Sequence, residues 1–209
     1  NGIALDSAGI IYLADTGNHR IRRIGKDGMI ERFAGTSSSG AGPDGVAAIL
    51  SALSSPQGIA AGKDGSIYIS DTNNNRIRKV LPNGTIETIA GSGVAGFSGD
   101  NGAAKSARLN NPAGLAIDSE GNVLFADTNN HRIRQITSSG LIRTIAGTGV
   151  AGFSGDDGAA VSARLSFPSG VAVDSRGVIY VADRGNHRIR RLSPDVSSGR
   201  LAIVGGSNQ

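Results

Sequence analysis

Cysteine and tryptophan are absent from the 209 residues, and aromatic side chains make up only 4% of them. Without cysteine there are no disulfides and no thiolate metal ligands, which leaves the redox compartment open. With so few aromatics, the core has to be built from small aliphatics, and stacking platforms for single-stranded nucleic acid are scarce. No run of eighteen apolar residues occurs, so a membrane-spanning helix is excluded. Charge of one sign does not dominate. The net +4 permits an acidic partner, nucleic acid included, without requiring one. No secretory leader is recognisable, but the chain starts part-way through a pattern at Asn1, and an upstream segment is expected.

Glycine is plentiful, at 32 residues, and it punctuates strands and turns rather than helices. The apolar residues are mostly Ile, Val, Leu and Ala in short bursts. A repeat organises them. Asp15, Asp71, Asp127 and Asp183 recur every 56 residues. Gly58, Gly114 and Gly170 follow a proline two residues earlier, and Gly2 fits the same register. Internal repetition of this kind decides the fold before any single element does.

Each period carries four strand signals. In the third copy they are Gly114–Ile117, Val123–Ala126, Arg132–Ile136 and Ile142–Ala146, separated by turns at Asp118–Gly121 and Ser138–Gly140. Four short strands with hairpin-length turns make an antiparallel meander. One such sheet would expose apolar residues on both faces, and radial stacking of copies buries them. The chain is therefore all-β, one β-propeller domain over residues 1–209. Its four blades span about 1–35, 57–91, 113–147 and 169–206. The long linkers lead into the next first strand, and Ala159–Leu165 is expected to form one or two helical turns.

The segments Gly170-Val171-Ala172-Val173-Asp174, Ile179-Tyr180-Val181-Ala182-Asp183 and Asn186-His187-Arg188-Ile189-Arg190 resemble the NHL repeat. The linker Gly149–Asp156 is similar to those of bacterial NHL proteins, which implies a bacterial, extracytoplasmic or secreted setting. NHL propellers usually close with six blades, so four imply an open arc. Further blades, a partner chain or self-association would complete it. The resemblance fixes a fold more firmly than a function.

The family includes a zinc-dependent amidating lyase, which makes the histidines the first candidates. His19, His131 and His187 occupy one repeat position, taken by Asn75 in the second copy. Blade geometry holds them apart, so no metal site and no cofactor are expected. Asp15, Asp71, Asp127 and Asp183 precede tight turns and lie near Arg22, Arg78, Arg134 and Arg190. Structural ion pairs are the simplest account, since a buried charge persists only when paired. The loops Gly99–Gly102 and Gly155–Gly158 are acidic, yet they lack the alternating oxygen donors of a calcium loop. Turns held by Asx hydrogen bonds are expected there.

More than half of the 21 Lys and Arg residues lie on the third strands. Some NHL propellers bind RNA, but here the arginines alternate with Ile between blades and stacking aromatics are missing, so nucleic acid is the weaker partner class. No catalytic triad, nucleophile elbow or phosphate loop is present. The repeat breaks notably at Thr36–Pro43 and at Pro194–Gly199, and neither break supplies a nucleophile with a base.

The expectation is a non-catalytic scaffold that recognises a protein, peptide or glycan through one rim. There the turn between second and third strands lies beside the linkers. The candidate contacts are Asn18, His19, Asn74, Asn75, Phe97, Asn130, His131, Phe153, Asn186 and His187. The competing reading is a fragment of a six-bladed lyase or lactonase.

Overall fold

A computed structural model describes residues 2–193 and 200–206. They form four antiparallel four-stranded sheets, each a simple meander. The first blade holds β1 (Ile3–Leu5), β2 (Ile11–Asp15), β3 (Arg20–Ile24) and β4 (Ile30–Ala34). The second holds β5 (Ile59–Ala61), β6 (Ile67–Asp71), β7 (Arg76–Val80) and β8 (Ile86–Ala90). The third holds β9 (Pro112–Ile117), β10 (Val123–Asp127), β11 (Arg132–Ile136) and β12 (Ile142–Ala146). The fourth holds β13 (Pro168–Val173), β14 (Ile179–Asp183), β15 (Arg188–Leu192) and β16 (Leu201–Gly206). The irregular turn at Pro194–Gly199 lies outside the described residues.

The helical stretch expected at Ala159–Leu165 is a single 3-10 turn, Ala160–Ser162. Its copies are Ala48–Leu50 and Ala104–Ser106. A second family of 3-10 turns follows each second strand, as at Thr72–Asn74 and Thr128–Asn130. The next residue, His19, Asn75, His131 or His187, is left-handed with φ between 51° and 54°. Asn and His tolerate that conformation better than most residues, which accounts for their interchange at one repeat position.

The core lies between blades. One cluster joins Tyr12, Ile21 and Leu53 to Ile59, Ile67 and Ile69 across the first interface. Equivalent clusters fill the second and third interfaces. The linker supplies a third layer, with Ala104, Ala107 and Leu109 wedged between the second and third blades. First strands approach closely near the axis. A Cβ on Gly2 would collide with the carbonyl oxygen of Gln57, one on Gly58 with that of Ala113, and one on Gly114 with Gly170, so this glycine is a packing requirement in the first three blades.

The two outer faces of the array lack such cover. Ile3 is 67% exposed where its copy Ile59 is 5% exposed, and Ile189 is 41% exposed where Ile133 is fully buried.

Candidate functional site

The second-to-third strand turns share one rim with the linker segments around Gly40, Gly96 and Gly152, which accept from Asn74, Asn130 and Asn186. The Asp that ends each second strand anchors it. Asp127 Oδ1 accepts from the backbone N–H of Asn110 at 2.8 Å, and its other oxygen accepts from the Asn130 amide at 2.8 Å. Asp71 does the same with Ser54 and Asn74, and Asp183 with Ser166 and Asn186. The backbone donor thus belongs to the incoming linker, not to the Asp's own turn, and the Asp clamps linker to blade.

The expected ion pairs form. Arg78, Arg134 and Arg190 are wholly buried and lie 3.5, 3.5 and 3.2 Å from Asp71, Asp127 and Asp183. Each also meets a linker carboxylate: Asp44, Asp100 or Asp156, at 3.0, 2.7 and 2.7 Å. This corrects the Asx-turn expectation for the acidic loops. Asp100 and Asp156 pair with buried guanidiniums because an uncompensated buried cation is far costlier than a turn left without its side-chain bond. In the first blade Arg22 lies 3.8 Å from Asp15, and both are about a quarter exposed. Burial raises the Asp71 carboxyl above its ordinary value and that of Asp127 to about 6, against the opposing hydrogen bonds and Arg charges.

Several candidate contacts are engaged inside the scaffold. Asn74, Asn130 and Asn186 each spend their amide hydrogens on the blade Asp and on a linker carbonyl, that of Gly40, Gly96 or Gly152. Asn18 reaches Asp15. His19 Nδ1 accepts from Ser55 N–H, His131 Nδ1 from Phe167 N–H, and Asn75 Oδ1 from Asn111 N–H. Burial, with the neighbouring Arg132 charge, pushes the His131 pKa down. His187 is exposed. Among the described residues no three His, Asp or Glu side chains gather as a metal site would need.

Phe97 and Phe153 stand apart. Arg132 lies 3.6 Å from the Phe97 ring centroid and Arg134 4.9 Å. Arg188 and Arg190 repeat this over Phe153 at 4.0 and 5.0 Å. The rings nonetheless remain 40% and 42% exposed. Arg132 and Arg188 were not among the candidates. Their signal was the constant spacing from each linker Phe to the first residue of the next third strand.

The axis holds a cavity of about 230 Å³ lined by first strands of all four blades. Its wall is glycine, Ile3, Ile59, Leu115 and Val171, with Gln57 and Ser169 as the side-chain polar groups.

The NHL repeat family matches residues 1–24, 53–80 and 165–192, and the Teneurin NHL domain family matches residues 93–152. The chain is an NHL-repeat β-propeller. The NHL chain is 34% identical to human Teneurin-4 over 90% of its own length, but it spans only 8% of that protein. An auxiliary nutrient binding protein from Bacteroides thetaiotaomicron superposes with TM-score 0.71 at 21% identity, covering 98% of this chain and 48% of that one. A gluconolactonase from Xanthomonas campestris superposes with TM-score 0.65 at 18% identity, covering 99% and 63%. At such identities the structural matches establish the fold alone. The sequence relatives named are eukaryotic, human Teneurin-4 and an Arabidopsis thaliana chloroplast protein 30% identical over 90% of this chain among them, so they do not carry the expected bacterial setting.

Proposed function

We propose that this NHL propeller is a binding scaffold that recognises a protein or peptide through its linker rim. One observation carries the reading: Phe97 and Phe153, a repeat apart, each stay about 40% exposed while two arginines stack on the ring. Val94 and Val150 stand exposed beside them. Rigid aromatics backed by Arg are the composition of interface anchors, because they bury area at little entropic cost.

A lyase or lactonase would need chemically capable groups at the axis, and among the described residues the axial cavity has no ionisable side chain in its wall. For RNA, Arg78, Arg134 and Arg190 are fully buried and pair with carboxylates instead.

The test is selection from a displayed random-peptide library on the wild-type propeller, with a glycan array in parallel. Binders that are lost on Phe97→Ala with Phe153→Ala, yet survive Leu141→Ala on the opposite rim, support the reading. Binding confined to glycans, or indifferent to both phenylalanines, rejects it.

A further inference from the structure

The opposite rim carries the turns between first and second strands and between third and fourth strands. There, between the second and third blades, two cavities of about 360 and 400 Å³ adjoin. They share Tyr68, Lys79, Gly121 and Ser138, so they form one groove of a size usual for small-molecule sites.

The repeat explains why the groove is open. Between the first and second blades the corresponding positions hold Phe33 and Pro82. Phe33 packs edge-on against Tyr12, with ring centroids 4.9 Å apart. Pro82 lies over Gly65, within 3.7 Å of where a Cβ would stand. Between the second and third blades the same positions are Ile89 and Ser138, two smaller side chains that line the cavity. At these two positions the departure from the repeat removes volume.

The charges diverge as well. In the first blade Arg23 donates to Glu31 in a short ion pair. In the second blade the matching pair is Lys79 and Glu87, adjacent in register. Lys79 turns away, to Asp64 at 3.1 Å and over the Tyr68 ring at 5.2 Å. Glu87 is left at the groove with no ion pair among the described residues, and Lys105, on the linker, lines the same cavity. The inner wall is apolar, formed by Ile89, Val123 and Ile136 with Tyr68.

We propose that this groove binds a small zwitterionic amphiphile, an aromatic amino acid or a close analogue. The apolar body lies against Ile89, Val123 and Ile136. The ammonium faces Glu87 and the carboxylate faces Lys105. A polar site in a partly desolvated groove discriminates by the charge it leaves unpaired, so a ligand missing one head group loses affinity. The site is independent of the linker rim and stands or falls separately from it.

The chain contains no tryptophan, so indole fluorescence reports the probe alone. L-tryptophan, tryptamine and indole-3-propionate are titrated against the intact protein. The expected result is a saturable blue shift, with L-tryptophan binding about tenfold more tightly than either singly charged probe. Glu87→Gln should weaken L-tryptophan and tryptamine and spare indole-3-propionate. Ile89→Phe with Ser138→Pro restores the residues of the first interface and should abolish binding while the circular dichroism spectrum is kept. No saturable shift up to about 1 mM, an undiminished shift in the filled variant, or indifference to Glu87→Gln would each overturn the proposal.

Discussion

Arg134 and Asp127 face each other at 3.5 Å with both side chains wholly buried, and the same guanidinium lies 2.7 Å from Asp100 of the incoming linker. One cation therefore holds two carboxylates, one from the blade and one from the linker. The arrangement recurs at Arg78 and Arg190. It ties each linker to the blade it enters, through a guanidinium and a blade carboxylate that are sealed from water and a linker carboxylate that is partly exposed.

Removing one member should be costly where the network is sealed and cheap where it is not. Asp127→Ala is expected to lose about 3–5 kcal/mol, as when a buried pair loses one partner. Asp15→Ala should lose no more than about 1 kcal/mol, because Asp15 and its arginines are about a quarter exposed and screened. Denaturant unfolding of the two variants compares them directly. Equal losses would mean that burial does not set the cost.

A pH dependence follows from the same charge count. Arg134 cannot neutralise two carboxylates, and Asp127 is the more deeply buried of the two, so it is the one that tolerates a proton. With its pKa raised from 3.8 to about 6, the folded state takes up that proton before the unfolded state does. Between those values the folded chain binds more protons, so this group stabilises the fold as pH falls from about 6 towards 3.8, by up to about 3 kcal/mol. Below that window the carboxyls held low by hydrogen bonds and cations against burial, such as Asp15, Asp44 and Asp64, are protonated and stability falls. Thermal melts from pH 7 to 3 should rise and then drop, and Asp127→Asn should flatten the rise. An unchanged rise in that variant refutes the assignment.

The blades were legible because period and turn signals are local: the 56-residue spacing of Asp15, Asp71, Asp127 and Asp183 fixes four sheets before any contact is known. The Asp–Arg pairs were legible too, since both members sit at fixed repeat positions. The second carboxylate was not. Asp100 lies 34 residues before Arg134, and nothing in a local window says that the linker folds back over the following blade. Nor do residue types tell a spent amide from a free one. Asn130 reads as a rim contact until both its hydrogens are seen to be used, on Asp127 and Gly96. The groove beside Glu87 depends on Phe33 and Pro82 giving way to Ile89 and Ser138, a difference that gains meaning only once the interface is built.

Phe97 should separate binding from stability. Its ring is partly exposed and its contact is a cation–π stack on Arg132 and Arg134. Such contacts at the surface are worth about 0.5–1 kcal/mol, so Phe97→Ala should lower stability by about that amount. A loss several times larger in urea unfolding would mark the ring as a core element and weaken its role as an anchor.

The end faces bear on association. Ile3, Leu5 and Ile30 stand exposed on the first blade, and Ile189 and Val204 on the fourth, at positions whose copies mate with one another in every interior interface. The two faces are therefore complementary by construction, the later face of one blade with the earlier face of another. Repeat arrays avoid this with polar caps, and apolar patches left open drive association. The chain as given is expected to self-associate in a concentration-dependent manner, unless further blades or a partner chain cover both faces. Ile3→Asp combined with Ile189→Asp should shift the population towards monomer in light scattering without loss of the β-sheet spectrum. Contacts made head to tail in this way need not close on themselves, so open oligomers are an accepted outcome alongside rings. A wild-type chain that stays monomeric at all concentrations would show that the faces are satisfied within one molecule, and that the four blades bend further towards closure than their packing implies.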